Sequence, residues 1–186
     1  MGLKENVLEA LEAFLPRNAL LVDEEVSVRK AGGLHTEEAV KAKVIVRPET
    51  TEEVSKILSI CNQASQPLVV HGGLTGLVYG TRSSSDQLVL SLERMNEVEE
   101  IDPVGRTITC QSGVILQTIQ EKAESENMIF PLDLGARGSC SIGGNISTNA
   151  GGNRVIRYGM TRESVLGIEA VTSDGTVLSS MNRMIK

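Results

Sequence analysis

The chain has 186 residues, a formal net charge of −6, and only two Phe, two Tyr and no Trp. An acidic chain without a basic patch argues against nucleic acid or an anionic membrane as a partner. No apolar run is long enough for a transmembrane helix, and the N-terminus lacks a secretion signal, so we expect a cytoplasmic protein without a membrane segment. The three cysteines are widely spaced, which predicts free thiols and no metal site.

Apolar residues at positions 3, 7, 8, 11, 14 and 15 recur at helical spacing and predict an amphipathic helix that ends at Pro16. Residues 17–43 contain one short apolar run, residues 20–22, among charges and a glycine pair. We expect a connecting segment there. His35 lies in this segment, and exposed polar surface is its expected role.

A strand, a helix and a second strand follow. Residues 44–46 predict a short buried strand, and Thr50 with Glu53 has the spacing of a capping box. Apolar residues at positions 54, 57, 58, 61 and 64 then share one helical face. Residues 68–70 predict another buried strand, so the succession indicates a βαβ unit with parallel strands.

Glycines cluster directly after that second strand, in residues 72–80, called the first glycine loop below. Ligands of open parallel sheets bind at the carboxyl ends of strands, where the amides of this loop could hold a pyrophosphate. The loop matches neither the dinucleotide fingerprint nor a P-loop. A plain structural turn is about equally compatible with it.

The remaining elements are mostly antiparallel. Residues 88–92 predict a strand, and residues 98–101 and 106–111 predict an antiparallel pair around a turn. Residues 114–127 predict a helix, and residues 168–172 and 176–178 flank a Ser-Asp-Gly hairpin turn. The sequence therefore predicts a parallel front lobe and a more antiparallel back lobe.

Residues 135–152, called the second glycine segment below, organise the chain, because six of these eighteen residues are Gly. The others are mostly small or hydroxylated, with two Asn and one Arg. This composition predicts a tightly folded loop around a large, partly anionic ligand, with backbone N–H groups and Asn and Ser side chains as partners. A flexible linker is the alternative, which Ile142 and Ile146 disfavour.

Several motifs stand in a fixed order: Arg47-Pro48 with Thr51-Glu52-Glu53-Val54, His71-Gly72-Gly73-Leu74-Thr75-Gly76, Pro131-Leu132-Asp133-Leu134-Gly135, Gly138-Ser139-Cys140-Ser141-Ile142-Gly143-Gly144-Asn145, Asn149-Ala150-Gly151-Gly152, Arg157-Tyr158-Gly159 and Asp174-Gly175. Together they closely resemble the flavin-binding domain of FAD-linked D-2-hydroxy-acid dehydrogenases, in the p-cresol methylhydroxylase (PCMH) and vanillyl-alcohol oxidase superfamily. The resemblance covers roughly residues 44 to 180.

The resemblance implies an α+β fold of the PCMH type, with a small parallel βαβ lobe and a mostly antiparallel lobe that is incomplete at its C-terminus. Its implied divisions are residues 1–43, an N-terminal helix and connecting segment; residues 44–95, the first FAD-binding lobe; and residues 96–186, the truncated second lobe. The cap domain that carries the substrate site and the catalytic histidines is expected to be absent from this chain.

The resemblance also implies FAD held between the lobes, with the strand at residues 168–171 near its adenosine half. Some superfamily members attach the flavin through a His where this chain has Leu74, so non-covalent FAD is expected. The implied cofactor-binding residues are Gly72, Gly73, Leu74, Thr75, Gly76, Leu77, Pro131, Leu134, Gly135, Gly138, Ser139, Ile142, Gly143, Gly144, Asn145, Asn149, Ala150 and Gly151.

For the full-length protein the resemblance implies oxidation of a D-2-hydroxy acid (of the D-lactate, glycolate or D-2-hydroxyglutarate type) by hydride transfer to flavin N5, with a separate electron acceptor. No catalytic residue is assigned to this chain, which is expected to be inactive alone and to self-associate through an unpaired strand edge. Two alternatives stay open: a flavin-binding module without turnover, and a flavin reductase of the nucleotide-sugar type.

Overall fold

The computed structural model describes residues 4–32 and 38–181. The chain divides into two compact units, which are described separately: the first contains the residues up to Arg94 together with those from Gly167 onward, and the second is Met95–Leu166. The exposed role expected for His35 concerns a position outside the described residues.

Both units contain helices and strands. The helices are α1 (Glu5–Glu12), α2 (Glu24–Ser27), α3 (Thr51–Gln63), α4 (Leu116–Ser125), α5 (Ile142–Ser147) and α6 (Val155–Tyr158). The strands are β1 (Leu20–Val22), β2 (Val44–Val46), β3 (Leu68–His71), β4 (Leu88–Ser91), β5 (Val98–Asp102), β6 (Thr107–Cys110), β7 (Glu169–Val171) and β8 (Val177–Ser179). No helix in the described parts of the chain is long and apolar enough to cross a membrane.

The first unit is built on a sheet with strand order β1-β2-β4-β3. Strands β2, β4 and β3 are parallel, as the βαβ pattern predicted. Every residue of β2 and β4 is buried. Such continuous apolar strands suit a parallel sheet whose two faces are both covered.

The strand predicted at residues 68–70 is present as β3, but the prediction that it is buried was wrong. Among the described strands, β3 pairs only with β4 and forms an edge of this sheet, and Val70 is exposed. The reason is topological: β4, the next strand in the chain, lies between β2 and β3 and takes the central position.

The segment predicted as a mere connection, residues 17–43, contributes to the sheet and the core. Strand β1 extends the sheet antiparallel to β2, with Leu20 opposite Val46. The apolar residues of this segment that join the core beside Ile45 and Val89 are Leu21, Val26, Ala31, Val40 and Ala42.

Helix α3 follows the predicted pattern closely. Thr50 caps it, because its hydroxyl oxygen accepts a hydrogen bond from the Glu53 N–H at 3.2 Å. The Glu53 carboxylate accepts from the Glu49 N–H at 2.7 Å, one residue before the position that a capping box requires. Ile57 and Cys61 lie on the buried face.

All three cysteines are free, as predicted. Burial raises the pKa of the Cys61 thiol to about 11. Burial, with a smaller contribution from the Glu99 carboxylate, raises the pKa of the Cys110 thiol to about 11 as well. Both thiols are therefore protonated and unreactive near neutral pH.

The last hairpin, β7–β8, turns at Gly175, whose φ of +90° explains the glycine. Its residues contact α3: the Ser55 hydroxyl donates to the Gly175 carbonyl at 2.5 Å, and the Thr51 hydroxyl donates to the Glu169 carboxylate at 2.7 Å. The sequence assigned this hairpin to the second lobe, whereas these long-range contacts place it in the first unit.

The second unit combines the predicted antiparallel pair, β5–β6, with helices α4 and α5. Val114, Ile119 and Ile142 are buried together, and partly buried residues of β5 and β6 pack against them. Leu116, Leu132 and Cys140 form a second buried cluster.

The cap of α3 gives a first prediction. Replacing Thr50 by Ala should lower the free energy of unfolding by about 1 kcal/mol, because the Glu53 N–H loses its acceptor. Thr50→Ser keeps the hydroxyl oxygen and should stay within about 0.5 kcal/mol of the wild type. Urea unfolding followed by circular dichroism measures both, and equal losses in the two variants would rule out the cap as the cause.

Candidate functional site

The second glycine segment is folded differently from the loop that its composition predicted. Residues 142–147 form helix α5, capped by Ser141, whose hydroxyl oxygen accepts from the Gly144 N–H at 3.4 Å. Gly143 and Gly144 lie inside this helix, and neither has a positive φ. The loop prediction was therefore wrong for these six residues.

The backbone N–H groups of this region are largely used within the protein. The Ile142 N–H donates to the Val114 carbonyl and the Gly143 N–H to the Ser112 carbonyl, both at 2.8 Å. The Asn145 N–H donates to the Ser141 carbonyl at 2.9 Å. The expected surface of free backbone donors is thus not formed at these three positions.

Gly143 is required by close packing rather than by backbone conformation. A Cβ atom at this position would lie 2.7 Å from Ser112 Cβ and 2.8 Å from the Ser112 carbonyl oxygen. A Cβ at Gly144 would meet only the Ser141 hydroxyl oxygen, at 3.3 Å. The packing therefore leaves more room for a side chain at Gly144 than at Gly143.

The start of helix α4 holds the first half of the segment. The Leu116 N–H donates to the Cys140 carbonyl at 3.0 Å, and the Gln117 N–H donates to the Arg137 carbonyl at 2.9 Å. The first N–H groups of a helix have no partner within the helix, so these bonds satisfy both partners at once. The Gln120 side chain adds a bond to the Leu132 carbonyl at 2.7 Å.

Asn145 is the side chain in this region that points most clearly to a ligand. It is only 5% exposed. Its side-chain oxygen is fully buried and has no hydrogen-bond partner among the residues that the structure describes. Leaving such an oxygen unsatisfied costs about 1–3 kcal/mol, and a hydrogen-bond donor on a bound molecule would remove that cost.

The end of the segment is fixed by a short 3₁₀ turn, Thr161–Ser164. Asn149 has a φ of +47°, which Asn tolerates better than most residues. Its side-chain oxygen accepts from the Arg162 N–H at 3.0 Å. The Ala150 carbonyl accepts from the Thr161 N–H at 3.0 Å and from its hydroxyl at 2.6 Å. Sequence reasoning missed Thr161, whose role depends on this tertiary pairing.

Positive charge accumulates around the second glycine segment although the chain as a whole is acidic. Residues 131–166 contain four arginines against one Asp and one Glu, a formal excess of two positive charges. Asp133 lies 3.8 Å from both Arg137 and Arg154, and these two guanidinium groups are about half exposed. This part of the second unit is therefore suited to an anionic group.

The first glycine loop belongs to the first unit. Leu74 and Tyr79 have φ values of +58° and +60°. Residues 76–80 are exposed. A side chain at Gly76 would meet no atom within 4 Å. Gly32, which the sequence did not single out, packs so tightly on the Leu74 backbone that no side chain fits there.

His71 immediately precedes this loop and is 3% exposed. Its Nε2 lies 2.8 Å from the Thr81 carbonyl oxygen. Burial lowers the pKa of its imidazole, and the hydrogen bond to Thr81 only partly offsets that effect. The ring is therefore neutral at neutral pH, which does not support a role as a charged group.

The predicted cofactor-binding residues fall into two sets, one in each unit. In the first unit, Gly72 to Thr75 are partly buried, while Gly76 and Leu77 are exposed. In the second, Ile142 and Asn145 are buried, and Gly135, Gly138 and Ser139 are exposed. Contact of either set with a cofactor stays a prediction.

Known proteins resemble the chain in sequence and in fold. The family model described as "FAD binding domain" matches residues 42–180. Mitochondrial D-2-hydroxyglutarate dehydrogenase of Bos taurus is 41% identical over 182 residues, which are 98% of this chain and 33% of that protein. A mitochondrial protein of Schizosaccharomyces pombe, named as a D-lactate dehydrogenase, is 45% identical over 141 residues, 76% of this chain and 27% of that protein.

Among solved structures, an alkyldihydroxyacetonephosphate synthase superposes with a TM-score of 0.84 at 18% identity, covering 97% of this chain and 35% of that one. This likeness shows the fold alone. The chain spans about a third of the length of the curated relatives it matches.

The glycine pair gives a second prediction. Gly143→Ala should lower the free energy of unfolding by about 1–3 kcal/mol, because the new methyl group collides with Ser112. Gly144→Ala is the matched control and should stay within about 0.5 kcal/mol of the wild type, since its gain in helix propensity offsets a milder contact. Thermal unfolding compares the two, and a larger loss for Gly144→Ala would contradict the packing shown here.

Proposed function

We propose, since this chain belongs to the FAD binding domain family, that it is the FAD-binding portion of a dehydrogenase that oxidises a D-2-hydroxy acid. The names of the bovine and yeast relatives support this substrate class. FAD, when bound, supplies the acceptor for the hydride that leaves the substrate carbon. The activity is proposed for the whole protein. The bovine relative is about three times as long as the part of it that this chain matches.

The single observation that carries the cofactor assignment is the unsatisfied side-chain oxygen of Asn145. A flavin has ring N–H and ribityl O–H donors, and an amide oxygen accepts from either. The side chain is fixed by burial, so it is already oriented before the ligand arrives. The residues present therefore fit the group that the family implies.

Other residues of the second unit supply space and charge for the same ligand. We assign the open position Gly135, where a side chain would meet nothing within 4 Å, to close approach of the cofactor. We assign the exposed guanidinium groups of Arg137 and Arg154 to attraction of the anionic cofactor. Attraction of this kind raises the rate of encounter and weakens with salt.

The chemistry proposed for this chain is binding and orientation. None of its described residues is assigned a proton-transfer role, and His71 is bonded to a backbone carbonyl. D-2-hydroxyglutarate, D-lactate and glycolate remain alternative substrates, and the electron acceptor is a separate partner.

Location and assembly belong to the proposal as well. The bovine and yeast relatives are named as mitochondrial proteins, while the sequence of this chain led us to expect the cytoplasm. Self-association through a strand edge stays a prediction, for which size-exclusion chromatography with light scattering is the direct measurement.

Asn145 provides a third prediction. Asn145→Leu should weaken FAD binding by about tenfold or more, the effect of losing one buried hydrogen bond, measured by fluorescence titration. Because the Asn145 oxygen has no partner within residues 4–32 and 38–181, the same change should not lower the free energy of unfolding of the FAD-free protein. Asn153→Leu, at an exposed position of the same unit, is the control and should bind FAD as the wild type does. Unchanged affinity in Asn145→Leu would remove the main support for the assignment.

The nature of the flavin linkage is a fourth prediction. Leu74 has no group that could bond covalently to the flavin, so acid precipitation should release all of the flavin into the supernatant. Absorbance and fluorescence of the two fractions give the result. Flavin that remains with the precipitated protein after washing would show a covalent attachment elsewhere in the protein.

A further inference from the structure

His71 stands at the start of the first glycine loop and is held there by the sheet. It is the last residue of β3 and lies opposite Ser91 of β4. Its carbonyl accepts from the Leu92 N–H at 3.0 Å. The entrance to the loop is therefore fixed by backbone hydrogen bonds.

The side chain of the same residue reaches the other end of the loop. Nε2 lies 2.8 Å from the carbonyl oxygen of Thr81, the residue that follows Gly80. A carbonyl oxygen can only accept, so Nε2 carries the hydrogen and Nδ1 is the unprotonated nitrogen of the neutral ring. One imidazole thus joins the two ends of a nine-residue loop.

Further contacts among the described residues support the C-terminal end of the loop. The Tyr79 carbonyl accepts from the Arg82 N–H at 3.1 Å, and the Arg82 guanidinium lies 4.0 Å from the centre of the Tyr79 ring. The Ser83 hydroxyl oxygen accepts from the Lys41 and Ala42 N–H groups, each at 3.1 Å. Residues 76–80 are exposed. The His71 side chain differs from these contacts because it connects the strand before the loop directly to the residue after it.

The charged groups that act on the ring are Arg29 and Glu93, which form an ion pair with each other. Arg29 lowers the pKa of His71 and Glu93 raises it, while burial is the larger effect and lowers it. The ring stays neutral at neutral pH, and its Nε2–H donor is present in either protonation state.

We infer that His71 is a positioning residue that closes the first glycine loop and thereby raises its affinity for the phosphates of the cofactor. This inference rests on the proposed FAD-binding function. A loop that is tied at its base loses less conformational freedom when a ligand orders it, so more of the contact energy appears as affinity. The role needs a donor at the Nε2 position and no charge.

Two substitutions distinguish the hydrogen bond of His71 from the space that its side chain fills. In His71→Gln the side-chain NH₂ occupies the place of Nε2, whereas in His71→Asn it occupies the place of Nδ1 and cannot reach Thr81. We expect His71→Gln to bind FAD within about threefold of the wild type, and His71→Asn about tenfold more weakly. Val70→Thr, an exposed change on the same strand, is the control and should have no effect.

Two measurements that need no FAD test the bond between His71 and Thr81 independently. Amide hydrogen exchange of residues 72–81 should be faster in His71→Asn and unchanged in His71→Gln. In the wild type, ¹⁵N NMR of the imidazole should show the Nε2–H tautomer. A protonated Nδ1 with a bare Nε2, or wild-type exchange and affinity in His71→Asn, would overturn the inference. A wild-type protein that binds no FAD would overturn the proposed function instead.

Discussion

The second unit depends on one close approach between two backbones, at Gly143 and Ser112. The Gly143 N–H donates to the Ser112 carbonyl at 2.8 Å, and a side chain at Gly143 would come to 2.7 Å from Ser112 Cβ. This contact continues the pairing that Leu116 and Ile142 make with the facing segment. Helix α5 has six residues and is too short to persist alone, so its position follows from this pairing.

The same approach explains why Asn145 is buried. One helical turn after Ser141, its side chain faces inward, where no donor from the described part of the chain reaches its oxygen. A fold keeps such a penalty when something outside the protein compensates for it, because burying a polar group without a partner is otherwise selected against. The packing at Gly143 and the ligand contact proposed for Asn145 are thus consequences of one arrangement.

Regular elements with strong local signals could be predicted from the sequence, and elements set by distant contacts could not. Strand β2, helix α3 with its Thr50 cap, and the turn at Gly175 carry their signals within a few residues. Helix α5 was missed because a glycine pair lowers helix propensity and its support comes from Ser112, about thirty positions away. The edge position of β3 depends on the placement of β4, which strand hydrophobicity does not encode.

The candidate site also contains residues that could be predicted and residues that could not. Residue type indicates a ligand contact more readily than a residue that holds another in place. The sequence indicated Asn145 through its motif, but the support that Thr81 gives to His71 comes from a main-chain carbonyl, which every residue type possesses.

Charge and hydrogen bonding also contribute differently to the binding of a ligand at the proposed site. Exposed arginines near Asp133 attract any anion in high-dielectric solvent. A buried amide oxygen favours only a ligand with a donor at the right place, so in the proposed site Asn145, rather than the arginines, would discriminate a flavin from other anions.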